Sequence, residues 1–434
     1  MARAILAAVV AFFLAAVLLA SASATAAVPS DIPAVFAFGD STLDPGNNNG
    51  LATLVRADHA PYGCGFPGGT ATGRFSDGKL ITDYIVESLG IKDLLPAYRA
   101  SGLTVAEAST GVSFASGGSG IDDLTAQTAM VFTFGSQISD FRDLLGKIGM
   151  PRAAEIAGRS LYVVSAGTND VAMNYFILPV RADSFPTIDQ YSDYLIGRLQ
   201  GYIQSLYNLG ARNFMVSGLP PVGCLPVTKS LNNLGSGGCV ADQNAAAERY
   251  NAALQQMLAK LEAASPGAAL AYVDVYTPLM DMVTQPRKYG FTEANQGCCG
   301  NGLLAMGELC TVDLPHCQSP AEFLFFDSVH PTQAAYKALA DHVVERRHTP
   351  DVVAIPDKED LEEARQTVQH RRAAVDGKRI SVTSVLMYAM RALHKIRRSK
   401  ESCIKKSHTT TQTHKLPGLN YQKTENVRPI LLCY

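Results

Sequence analysis

Four short clusters in this 434-residue chain carry side chains suited to nucleophilic chemistry: Gly39-Asp40-Ser41, Gly117-Gly118, Gly167-Thr168-Asn169-Asp170 and Asp327-Ser328-Val329-His330. A serine hydroxyl is a poor nucleophile until a base takes its proton. His330 is the candidate base for Ser41. Asp327, three residues before it, can share one turn with the imidazole, hold its other N–H and stabilise the imidazolium that forms. The backbone N–H groups of Ser41 and Gly118 and the side-chain amide of Asn169 are the donor types that stabilise a developing oxyanion. Gly117 lies in the same turn and is the alternative to Gly118. Such a set would attack an acyl carbon, form an acyl-serine and hydrolyse it. Taken singly, each cluster also reads as a strand-ending turn, an Asx turn or a helix cap beside a surface histidine. Their occurrence together, in this order, favours catalysis.

Over residues 31–348 the chain resembles the secreted plant branch of the GDSL esterase/lipases in the SGNH hydrolase superfamily. The resemblance rests on Phe38-Gly39-Asp40-Ser41-Thr42-Leu43-Asp44 with Gly46-Asn47-Asn48-Asn49, on Thr72-Gly73-Arg74-Phe75-Ser76-Asp77-Gly78-Lys79, and on the run Gly111 to Gly120. Gly167-Thr168-Asn169-Asp170, Leu219-Pro220-Pro221-Val222-Gly223-Cys224 and Asp327-Ser328-Val329-His330-Pro331 complete it. It implies Ser41 as nucleophile, His330 as base, Asp327 as its partner, and Gly118 and Asn169 as further oxyanion donors. It also implies a three-layer α/β/α, flavodoxin-like fold with a mostly parallel sheet, and a carboxylic ester hydrolase of the apoplast or cell wall acting on lipid or acylated carbohydrate esters. An acyltransferase using the same site and a non-catalytic binding member are the alternatives. No metal or organic cofactor is implied. Thr42 and Ser113 depart from the common pattern, where leucine and asparagine are frequent, and bear on substrate preference more than on activity.

The elements that must position these residues alternate along the chain. Apolar runs at 35–38, 161–166, 213–219 and 269–275 read as strands, and 81–89, 187–209 and 239–264 have the apolar spacing of amphipathic helices. That alternation predicts a mostly parallel sheet with right-handed crossovers, which would bring Ser41, Gly118 and Asn169 to one sheet edge. The glycine-rich stretch 63–74 lacks both nucleotide-binding patterns, so nucleotide binding is rejected. Arg74 is expected in a surface salt bridge, with bracing of this loop as the alternative. The loops 47–65 and 176–189 are expected to shape the pocket.

Composition, 47% hydrophobic, suits one large enzyme domain over residues 28–350. The net charge of −2 conceals an asymmetry: residues 351–434 hold 16 Lys and Arg against 9 Asp and Glu, leaving 21 against 30 before them. An acidic body gives no reason to expect a nucleic-acid partner. Arg3, the apolar run Ala4 to Ala20 and the small residues Ser21 to Ala27 read as a secretory signal over residues 1–27. The basic extension 351–434 carries no motif of the family and reads as disordered or as a gene-model artefact. Contact with an anionic membrane through Arg391, Lys395, Arg397, Arg398 and Lys400 is the alternative.

Secretion makes the nine cysteines candidates for disulfides. Cys224 and Cys239 would tether the loop between them. Cys298, Cys299, Cys310 and Cys317 suggest two crosslinks of open connectivity, in which the adjacent pair takes different partners. Zinc with His316 is the minor reading of that cluster, because adjacent cysteines lack ligand spacing.

Overall fold

The computed structural model describes residues 32–232, 238–300 and 305–346. The expected leader, the basic extension, Cys403 and Cys433 lie outside them. Five strands, β1 (Val35–Gly39), β2 (Gly111–Ser113), β3 (Leu161–Ser165), β4 (Asn213–Ser217) and β5 (Ala269–Val273), form one sheet in the order β2-β1-β3-β4-β5. Every pairing is parallel. This is the flavodoxin-like order, in which ligands sit at the carboxyl ends of strands near the point where the winding reverses, here between β1 and β3.

Helices cover both faces because the side chains of a strand alternate. Phe36, Phe38, Tyr162 and Val164 point to one side, where they pack with Phe141 of α2 (Phe134–Ile148), Leu199 of α3 (Ile188–Asn208) and Leu254 of α4 (Ala241–Ala263). Val35, Ala37, Leu161 and Val163 point to the other, against Ile85 and Val86 of α1 (Ile81–Ser88) and Val343 of α5 (Gln333–Arg346). The architecture is therefore the expected three-layer α/β/α form.

The four predicted strands and three predicted helices appear with bounds shifted by two residues or fewer. β2, α2 and α5 lie outside those expectations. β2 is three residues long and opens on Gly111, too short to show a period. α2 does carry the spacing Phe134, Ile138, Phe141, Leu144 and a Thr133 cap accepting from the Ser136 N–H.

The turn after β1 is dictated by crowding. A Cβ on Gly39, whose φ is +144°, would lie 1.8 Å from the Ser165 carbonyl oxygen at the end of β3. The Asp40 N–H donates to that same oxygen at 3.1 Å. Glycine is the residue that lets the two strand ends meet and the chain swing Ser41 out over the sheet edge.

A separate parallel pair, β6 (Glu293–Gly297) and β7 (Phe323–Phe325), brackets the cysteine-rich segment. Disulfides join Cys224 to Cys239, Cys298 to Cys317 and Cys299 to Cys310. The pairing settles the open connectivity, and with all four sulfurs in crosslinks the zinc reading is withdrawn. His316 is exposed, its Nδ1 3.3 Å from the Leu314 carbonyl oxygen. Cys64 is the free, exposed cysteine among the described residues.

Candidate active site

β7 ends at Phe325, and the chain then turns so tightly that Asp327 caps its own loop. Asp327 Oδ1 accepts the Val329 N–H at 2.8 Å and the His330 N–H at 2.7 Å. These short-range bonds fix the imidazole beside the carboxylate, with His330 Nδ1 2.7 Å from Asp327 Oδ2. From the other side of the sheet edge, Ser41 Oγ stands 2.7 Å from His330 Nε2, although the two residues are 289 apart in sequence. Asp327 is fully buried, and Ser41 and His330 are each 5% exposed. The Phe75 ring packs on the imidazole at 4.9 Å between centroids and limits its rotation.

The structure brings the expected donors to the same edge. Among the described residues, neither the Ser41 nor the Gly118 amide has an internal hydrogen-bond partner. The Gly117 N–H donates to Asp44 Oδ2 at 2.8 Å, so of the two glycine amides it is the one already engaged. Asn169 spends one side-chain N–H on the Ser119 carbonyl at 2.9 Å, so the other is free to face a ligand.

Two buried carboxylates hold the Gly118 turn in place. Asp44 anchors it through Gly117, and Asp170 accepts from the Ile121 N–H, the Asp122 N–H and the Thr125 hydroxyl at 2.8, 3.1 and 2.6 Å. Burial pushes Asp170 up to about 7 and Asp44 up to about 6, against the donors that favour their ionised forms. Asp40 is also raised by burial, opposed chiefly by the Thr42 amide and hydroxyl. The departure at Thr42 therefore supports the Ser41 turn, because its hydroxyl donates to Asp40 Oδ1 at 2.8 Å and lies 3.1 Å from Ser165 Oγ.

Arg74 corrects an expectation. It is buried rather than a surface residue, and grips Asp83 of α1 through Nε and Nη2 at 2.8 and 2.9 Å. It thereby braces the loop that presents Phe75. Three supporting residues escape sequence inspection. Gln137 of α2 is fully buried and grips Gly39 from both sides, accepting its N–H at 2.8 Å and donating to its carbonyl at 2.9 Å. A lone amide on the apolar stripe of α2 was the available signal. Asp44 stands in the first motif block with no role legible there, and Tyr62, whose hydroxyl donates to Asp327 Oδ2 at 2.7 Å, carries no signal.

A doubly wound α/β sheet with a serine, a histidine and a carboxylate in hydrogen-bonded series at its carboxyl edge defines the hydrolase class. Residues 35–343 match the family model described as GDSL-like Lipase/Acylhydrolase, and the chain belongs to that family. It is 43% identical over 338 residues to GDSL esterase/lipase At2g31540 of Arabidopsis thaliana, covering 76% of this chain and 94% of that protein. It is also 41% identical over 348 residues to GDSL esterase/lipase At2g40250 of the same plant, covering 78% and 96%. Among solved structures it is similar to a lipase, Lip_vut3, from a goat rumen metagenome, with 11% identity, a TM-score of 0.33 and coverage of 73% of this chain and 98% of the other; that likeness carries no weight for the fold. The protein is a carboxylic ester hydrolase, and its disulfides fit a protein matured in an oxidising compartment.

Proposed function

We propose that the protein is a secreted serine hydrolase that cleaves carboxylic esters through an acyl-enzyme on Ser41. The observation that carries this reading is the pair of 2.7 Å contacts running from Ser41 Oγ through His330 to Asp327. His330 Nε2 takes the Ser41 proton as Oγ attacks the acyl carbon, and Asp327 stabilises the imidazolium. The oxyanion is met by the amides of Ser41 and Gly118 and by the free Asn169 N–H. His330 then protonates the departing alcohol, and in the second half-reaction it activates water to release the acid. The chemistry uses only protein groups.

The surroundings of Gly118 favour an apolar acyl group. Val55 and Ala129 lie against it, and Leu54 and Met130, their chain neighbours, stand 68% and 62% exposed. In this proposal residues 1–27 are a removed leader, 28–350 are the hydrolase, and secretion delivers it to the apoplast or cell wall. The test is hydrolysis of a short and a long p-nitrophenyl ester by the secreted protein beside its Ser41→Ala variant. Turnover should fall at least about 1,000-fold in the variant, with the longer ester preferred by the wild type. Equal rates in both proteins would overturn the mechanism.

A further inference from the structure

Asp327 has more partners than the histidine it faces. Its Oδ2 accepts from two donors at the same distance, 2.7 Å each: His330 Nδ1 and the Tyr62 hydroxyl. With Val329 and His330 amides on Oδ1, the buried carboxylate takes four hydrogen bonds. The Tyr62 oxygen in turn accepts the Gly307 N–H at 2.8 Å. Gly307 belongs to the segment closed by the Cys299–Cys310 disulfide. That segment also receives the Ser328 N–H on the Ala305 carbonyl at 3.0 Å.

We infer that Tyr62 is a positioning residue for the catalytic carboxylate, setting Asp327 Oδ2 against His330 Nδ1 and sharing its charge, with the disulfide-closed segment holding the Tyr62 hydroxyl in place through Gly307. The inference rests on the proposed roles of Ser41, His330 and Asp327. The hydroxyl is a dedicated donor: burial first, then the neighbouring Asp327, hold the phenol well above its ordinary range, so it stays protonated across the pH range of the test below. Its ring is fully buried between Phe75 and Phe326, with centroids 5.9 and 5.3 Å away, and those contacts do not depend on the hydroxyl.

Two donors on one oxygen compete. Without Tyr62, Asp327 presents more of its charge to His330, stabilises the imidazolium more and makes the base harder to deprotonate. The same loss frees the carboxylate to tilt away from the line that aims Nε2 at Ser41. The other titratable groups facing this pair are Asp40 and Tyr336, with Glu308 and His59 beyond Tyr62. All of them are retained in the variants below.

The test is Tyr62→Phe in the full secreted protein, compared with wild type and Ser41→Ala on one p-nitrophenyl ester from pH 4.5 to 8.5. Expected are a 10- to 100-fold fall in kcat with KM nearly unchanged, roughly the value of a hydrogen bond to a charged group, and an acid limb of the profile moved up by about half a pH unit. Gly307→Ala gives a second route that leaves Tyr62 intact. Its Cβ would stand 2.6 Å from the Leu54 carbonyl oxygen, so the turn shifts and the N–H leaves Tyr62. The acid limb should move in the same direction by less. An unshifted limb in both variants, whether or not kcat falls, overturns the positioning role. A Ser41→Ala protein that keeps its turnover overturns instead the triad on which the inference stands.

Discussion

The support of the Ser41 turn by a distant amide can be isolated with Gln137→Met, which keeps length and rough volume but removes both polar atoms. Wild-type Gln137 makes two bonds to Gly39 and a longer one, 3.3 Å, to the Ser119 hydroxyl. The Gly39 carbonyl is not orphaned by the change, because it still accepts the Ser116 N–H at 2.9 Å and the Ser119 hydroxyl at 2.7 Å. The Gly39 N–H, buried and pointing at methionine, loses its partner. The cost is therefore that of one unsatisfied buried donor, about 2 kcal/mol, offset little by the better burial of the thioether. At roughly 2 °C per kcal/mol for a domain of this size, the melting temperature should fall by about 4 °C. Because Gly39 sets the turn that carries both the Ser41 hydroxyl and its amide, kcat should fall by up to about tenfold while KM holds. Thermal unfolding followed by circular dichroism, with steady-state ester hydrolysis at 25 °C, reads both effects. A melting temperature within about 1 °C of wild type together with unchanged kcat would refute the reasoning, since a buried donor cannot be orphaned without cost.

Two further outcomes follow from the same geometry. Asn169→Ala should lower kcat about 100- to 1,000-fold with KM nearly constant, because the freed N–H acts on the transition state; a rise in KM alone would reduce Asn169 to a binding group. Asp170 should make stability depend on pH. Its folded value, pushed up to about 7, exceeds the ordinary 3.8, so the folded state holds a proton that the unfolded chain releases between these limits. Stability from this group is full below about pH 4 and declines towards pH 7, by an amount of order 4 kcal/mol at 1.36 kcal/mol per unit. Urea midpoints of Asp170→Asn measured from pH 4.5 to 7.5 should fall less steeply than those of wild type, and parallel slopes would remove Asp170 as the cause.

Much of this protein is legible along the chain because it depends on local chemistry. The strand at Val35–Gly39 announces itself through an unbroken apolar run, and the Asp327–His330 pair through a three-residue spacing that one turn closes. Gly39-Asp40 reads as a turn for the same reason, a glycine and an aspartate closing an apolar run. Order and spacing of the motif clusters were enough to indicate the family and the doubly wound sheet.

What the chain could not reveal depends on groups far apart in sequence. Gln137 meets Gly39 across 98 residues and Tyr62 meets Asp327 across 265, and although Gln137 interrupts an apolar period, nothing along the chain names either partner. That Asp44 captures the Gly117 amide and not that of Gly118 is a matter of angstroms within one turn. Arg74 looked like a surface cation until α1 supplied Asp83 and buried both. The sequence by itself determined which residues could react and in which fold; the tertiary structure decided which buried polar groups hold them, because hydrogen bonds are directional and short while the apolar patterning that guides folding is neither.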